Sequence, residues 1–215
     1  MNSVEELAKA KQYLRDLTCG GLLLTESRTV AETLLQPLPE ADWKRLFTDE
    51  NILKKNSPHT AIRYAKAIRQ RLQPLGIEFN HAVVNASDSD YKQLLMLAFI
   101  IHKPVMVAFM QSVVAETKRV YKPNLAADAW DSFIHERART LPGLNKLSSS
   151  TVQKSGSNII RSLVEAGYLN NNRQRLLQPV YLLPTPHVWL DTLHRKDLVS
   201  IMECTLREYC KAGSI

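Results

Sequence analysis

Apolar residues recur at spacings of three and four almost throughout this chain, the pattern of helices that each bury one side. The spacing predicts a first helix over 4–17, a break at Gly20-Gly21, and a second helix over 22–35 that stops before Pro37 and Pro39. A short helix over 41–47, carrying Trp43, precedes one that Ser57 caps and Pro58 opens, running to Leu72. Pro74 and Gly76 end it, and residues 79–85 form a helical turn. Asp88 caps a helix reaching Ile101, Pro104 starts one reaching Tyr121, and residues 126–139 form another with Trp130, Phe133 and Ile134 on its apolar side. Next comes Ser148 to Gly167, then Tyr168-Leu169 and Leu176-Leu177 flanking Asn170 to Arg175, as in a small hairpin. Pro179, Pro184 and Pro186 punctuate a connector before a terminal helix over 188–211.

The stretch from Leu94 to Met110 resembles a membrane span by hydropathy, but its longest uninterrupted apolar run, Leu94 to Ile101, is far short of the ~20 residues a spanning helix needs. His102, Lys103 and Pro104 sit at its centre, so the expectation is two buried helices meeting at a corner. Cys19, Cys204 and Cys210 have no framework spacing and the N-terminus lacks a signal-peptide pattern, which fits a reduced, cytoplasmic protein.

Charge sharpens the picture. The net charge of +7 is unevenly distributed. Between residues 51 and 76 stand Lys54, Lys55, Arg63, Lys66, Arg69 and Arg71 with no acid. Between 137 and 175, Glu165 is the one acid among Arg137, Arg139, Lys146, Lys154, Arg161, Arg173 and Arg175. Such segregation is the footprint of a polyanion partner, although a solvated basic face is the plain alternative.

On a helical wheel, Val152, Gly156, Ile159, Ile160, Leu163 and Ala166 make the core face of the 148–167 helix. Opposite stand Ser150, Lys154, Ser157, Asn158 and Arg161, flanked by Thr151 and Gln153, a mixture able to contact phosphates and base edges. Gly156 on the core face is a notch for a crossing helix, which the 126–139 helix supplies. With a hairpin carrying Arg173 and Arg175 behind it, the order is that of a winged helix-turn-helix. The 57–72 helix repeats the design, with His59, Arg63, Lys66 and Gln70 opposite its core side and Lys54 and Lys55 before its cap. Reversing charge at Lys154 and Arg161, or at Arg63 and Lys66, should then weaken duplex binding.

The expected fold class is therefore all-α, a helical bundle with two helix-turn-helix-like units, the C-terminal one winged by a small β-hairpin. Soft boundaries divide it into 1–80, 81–125, a winged unit over 126–186 and a terminal helix over 187–215. Candidate DNA contacts are Lys54, Lys55, His59, Arg63, Lys66, Gln70, Lys146, Ser150, Thr151, Gln153, Lys154, Ser157, Asn158, Arg161, Arg173 and Arg175. Catalysis finds little support. His187 and His194 lack further metal ligands, no nucleotide-binding or hydrolase motif occurs, and Glu116-Thr117-Lys118 (with Asp88 or Asp90) matches a nuclease pattern only in a helix end. No metal and no cofactor is expected.

The segment Gly20 to Glu32, "GGLLLTESRTVAE", resembles the opening signature of the BrxA proteins of BREX phage-exclusion systems. The similarity continues through Trp43, Asn51, the Ser57–Arg63 helix start, Ser150-Thr151, Lys154 and "LVEAGYL" to Pro179. It implies a small non-enzymatic component of a bacterial defence locus, working beside a DNA methyltransferase and ATPases. A structural likeness of that family to the antitermination factor NusB makes RNA binding the second possibility, and a protein scaffold is a third. The expectation is a cytoplasmic monomer that binds double-stranded DNA, with no membrane partner.

Overall fold

The computed structural model describes residues 3–205. Its helices are α1 (Ser3–Tyr13), α2 (Leu24–Thr33), α3 (Glu40–Thr48), α4 (Pro58–Leu72), α5 (Ile77–Asn85) and α6 (Asp88–His102). After these come α7 (Pro104–Phe109), a π-helical turn (Met110–Val114), α8 (Ala115–Arg119), α9 (Ala129–Arg137), α10 (Ser149–Glu165), α11 (Pro184–Thr192) and α12 (Val199–Met202).

α6 is the axis of the core. Leu94 to Ile100 are all buried, on every side of the helix, so the other elements pack around it. The expected corner lies at Lys103, where α6 and the helix begun by Pro104 meet at 104°. Among the described residues no single helix is long and apolar enough to cross a membrane. The predicted cap holds at Ser57, whose side chain accepts from the Thr60 N–H (3.2 Å). The 149–165 helix is capped by Ser148, which accepts from the Thr151 N–H (3.3 Å), and not by Ser149 or Ser150 as the sequence suggests. α6 is capped instead by Ser87, one residue before the expected Asp88, with Ser87 Oγ accepting from the Asp90 N–H.

Gly156 is the notch predicted for a crossing helix. A Cβ there would lie 2.3 Å from Cδ1 of Trp130 on α9, and the Trp130 indole N–H donates to the Val152 carbonyl at 2.9 Å. Trp130 in turn meets Phe109 edge-on and Phe133 at a tilt of 34°, at centroid separations of 5.5 Å each.

Three expectations are overturned. The winged unit has no wing: among the described residues there is no β-strand, only isolated bridges Asn124–Leu176 and Leu169–Leu177. Only single cross-loop backbone bonds form, Asn170 N–H to the Leu176 carbonyl and Gln178 N–H to that of Tyr168, and four further N–H groups of the loop go to asparagine side chains. Asn170 Oδ1 accepts from the N–H of Asn171 and of Leu176, and Asn171 Oδ1 from those of Arg173 and Gln174. Those local bonds displace a strand ladder. The helix-turn-helix units fare no better, since residues 49–57 separate α3 from α4, and residues 138–148, with a 3₁₀ turn at Pro142–Lys146, separate α9 from α10. A helix-turn-helix joins its helices through three or four residues. The terminal helix, finally, breaks after Thr192, where His194 adopts a left-handed conformation (φ 54°), and α12 is a single turn. Cys210 and the end of that predicted helix lie outside the described residues.

The α6–α7 corner carries a pH dependence. Burial, reinforced by Lys103 and Arg71 and opposed by Asp16, lowers the His102 imidazole to about 4. A depressed histidine contributes stability that is present above its unfolded value and lost as pH falls through the folded one. We expect the midpoint of thermal unfolding to drop between about pH 6.5 and pH 4, with a His102 share of roughly 1–2 kcal/mol after discounting for its partial solvent access. His102→Gln should flatten that limb of the curve.

Candidate nucleic-acid interface

α10 is a 17-residue amphipathic helix fixed along one side by Trp130. Its N-terminal half is free. Ser150, Gln153, Lys154 and Ser157 are exposed, with Arg161 one turn further on, and Thr151 is partly covered. Ser150, Lys154, Ser157 and Arg161 fall on one stripe, as the wheel requires. Ser157 Oγ donates back to the Gln153 carbonyl (2.9 Å), so its hydroxyl is held along the helix.

Asn158 departs from the predicted stripe. Its side-chain N–H donates to the Leu17 carbonyl at 2.6 Å, which turns it toward the N-terminal part of the chain. Glu165, two turns further along, accepts from the Leu22 N–H at 2.5 Å. Gly21 lies so close that a Cβ would meet Glu165 Oε2 at 2.4 Å and Arg161 Cγ at 3.0 Å. The C-terminal half of α10 is thus docked rather than presented.

α4 docks on the same segment from another side. Arg71, buried near its end, donates to the Gly21 carbonyl at 2.8 Å and lies over the Phe99 ring. Lys55, just before α4, is ion-paired with Glu26 on α2 and sits over the Tyr64 ring. Asn51, itself left-handed (φ 48°), bonds both the N–H and the carbonyl of Lys55. Arg28 of α2 donates to the Val84 carbonyl and covers the Tyr91 ring. Residues 20–28 therefore act as a clamp that fixes α4 and α10 in place.

The clamp divides the predicted contact residues. On α4, His59 and Lys66 are exposed, and so is Lys54 before it. Arg63 is half-buried, with its Nε unpartnered, and Gln70 lines a cavity. Lys146 pairs with Glu6 of α1 at 2.6 Å. Arg173 is exposed on the asparagine-stitched loop. Arg175 fastens that loop, donating to the carbonyls of Ala126, Ala127 and Asn172. A cleft of about 420 Å³ brings Ser157 and Arg161 together with Asn172 and Arg175. Lys54, His59, Lys66, Lys154, Arg161 and Arg173 are the predicted basic contacts that remain on the surface with no ion pair among the described residues.

Sequence reasoning missed the clamp. Charge and periodicity marked cations, but Glu6 and Glu26 neutralise two of them from helices far off in sequence. Elsewhere, Glu116 is held bidentately by Arg119 on α8, the arrangement of an ordinary helix end. Among the described residues no group of three or more histidine, cysteine and acidic side chains could hold a metal ion.

The clamp has a measurable consequence at Glu165. Burial raises its carboxyl, with the Leu22 N–H and Arg161 pulling the other way. A raised carboxyl contributes stability below the ordinary carboxylate range and loses it as pH rises through the folded value. Glu165→Gln keeps an acceptor for Leu22 without a charge and should match or slightly raise thermal stability at neutral pH, where burial penalises the carboxylate. Glu165→Ala strands that N–H and should cost about 1–3 kcal/mol, measured by urea denaturation.

Comparison with known proteins agrees with this architecture. The BrxA family model matches residues 11–192. The BREX protein BrxA of Escherichia coli O9:H4 (strain HS) is 38% identical over 193 residues, covering 90% of this chain and 91% of that one. The BREX protein BrxA of Paramagnetospirillum magneticum (strain ATCC 700264 / AMB-1) is 31% identical over 169 residues, covering 79% and 85%. A crystal structure of an uncharacterized protein from Magnetospirillum magneticum superposes with a TM-score of 0.80 at 25% identity, covering 88% of this chain and 97% of that one.

Proposed function

The chain belongs to the BrxA family and is a component of a BREX phage-defence system, and we propose that it serves there as a non-catalytic protein that grips double-stranded DNA. The observation that carries the proposal is the exposed stripe Ser150–Lys154–Ser157–Arg161 on a helix anchored from behind. A helix of that width fits a major groove, and side chains cannot enter the deep groove of A-form RNA. Lys66, His59 and Lys54 add a second basic surface on and before α4. Phosphate contacts supply most of the affinity, and Gln153 is the best-placed side chain for a base edge. The protein acts as a cytoplasmic monomer, and other BREX proteins, a methyltransferase or an ATPase among them, are its protein partners.

Electrophoretic mobility shifts across salt, with duplex DNA and structured RNA as probes, test the proposal. Duplex should bind with log K falling linearly in log[salt] at a slope of about −4 to −6, as for roughly five or six phosphate contacts. Tighter binding to RNA would favour the NusB-like alternative, and retention of neither probe at low salt would leave a protein scaffold.

A further inference from the structure

A cavity of about 860 Å³ opens between α1, α4 and the α6–α7 corner, away from the stripe on α10. Its charges do not balance. Lys9, Arg15 and Lys103 line it against a single carboxylate, Asp16. Lys103 is only 5% exposed. Its ammonium donates to the Arg15 carbonyl at 2.6 Å and reaches Asp16 at 3.4 Å, which leaves one of its three protons for the cavity. His102 lines the same space, with its Nε2 turned away from solvent. A surplus of cations lining an open cavity suits an anionic ligand. Burial holds the Lys103 ammonium below its ordinary range, with Arg71 and Arg15 adding repulsion and Asp16 opposing it.

The remaining lining sets the ligand's other end. Gln12 and Gln70 offer amides, groups that pair bidentately with the edge of a purine or pyrimidine. Tyr13, Pro104 and Leu141 supply apolar surface for a flat ring. The volume is that of pockets for compact organic ligands and far exceeds what a bare oxyanion fills. We propose that this cavity binds a nucleoside monophosphate, with the phosphate at Lys103 and Arg15 and the base between the amides of Gln12 and Gln70. The site lies away from the stripe on α10, and Gln70, one turn beyond Lys66, places it at the edge of the second basic surface on α4.

Isothermal titration of the full chain with AMP, GMP and CMP, and separately with inorganic phosphate, tests this. At least one nucleotide should bind about tenfold or more tightly than inorganic phosphate. Arg15→Ala and Gln12→Ala both change exposed rim residues, so the fold should survive them. Each should weaken the nucleotide by about tenfold while duplex affinity stays within about twofold. No heat with any nucleotide overturns the proposal, as does phosphate binding equally well or a nucleotide affinity indifferent to both variants. Nucleotide binding without duplex binding would sustain this site and remove the proposed DNA function.

Discussion

Gly156→Ala is expected to lower the free energy of unfolding by about 3 kcal/mol, and Gly156→Val to abolish cooperative unfolding in urea. The added methyl would meet Trp130 Cδ1, Cγ and Nε1 at 2.3, 2.6 and 2.9 Å. Relief would require the indole to move. It cannot move cheaply, because its N–H is bonded to Val152 and its ring is wedged between Phe109 and Phe133. Pushing α9 off α10 instead would open the aromatic cluster, at a cost typical of overpacked cores. Ser157→Ala, one residue along on the exposed face, serves as the control and should change stability by no more than about 0.5 kcal/mol. A Gly156→Ala protein as stable as the parent would mean that the two helices do not cross here.

Lys66→Glu combined with Lys154→Glu is the second large effect. Both lysines are exposed and neither has an ion pair among the described residues, so reversing them should not disturb the fold. If each meets a phosphate, the pair removes roughly 1.8 from the magnitude of the salt slope, at about 0.9 per contact. Repulsion from the new carboxylates adds to that loss, and duplex affinity near 0.15 M salt should fall by about a hundredfold. Lys55→Gln makes an instructive contrast. It breaks the pair with Glu26, so it should lower stability more than it alters the salt slope. An unchanged slope in the double variant would place the duplex, if it binds, elsewhere on the surface.

Much of the helical architecture was legible because its signals are local. A serine cap followed by proline fixes the start of α4 at Ser57, whatever lies elsewhere, whereas the first helix ends at Tyr13, short of the expected break at Gly20-Gly21, because Asp16 turns left-handed (φ 63°). Gly156 was readable as a notch because the wheel put a missing side chain on a buried face. The hairpin failed for an equally physical reason. Two apolar pairs around a polar turn fit a ladder by pattern, but Asn170 and Asn171 satisfy the turn's N–H groups themselves. The candidate interface was legible in part. Lys154, Arg161 and Lys66 emerged exposed as expected, whereas Asn158, Lys55, Lys146 and Arg175 took structural partners that no local pattern announces. Arg71 and Lys103, read simply as charges, turned out to be buried.

The clamp at residues 20–28 also has a history in time. Leu17 receives its bond from Asn158, and Leu22 gives its own to Glu165, across separations of 141 and 143 residues. At synthesis rates of about 5–20 residues per second, roughly seven to thirty seconds pass between the appearance of one partner and of the other. Throughout that interval Leu17, Leu22 and Leu23, all buried in the finished protein, have no α10 to cover them. This segment is thus made before its partner and completed late, and the nascent chain must keep it from other apolar surfaces until the ribosome has passed Glu165.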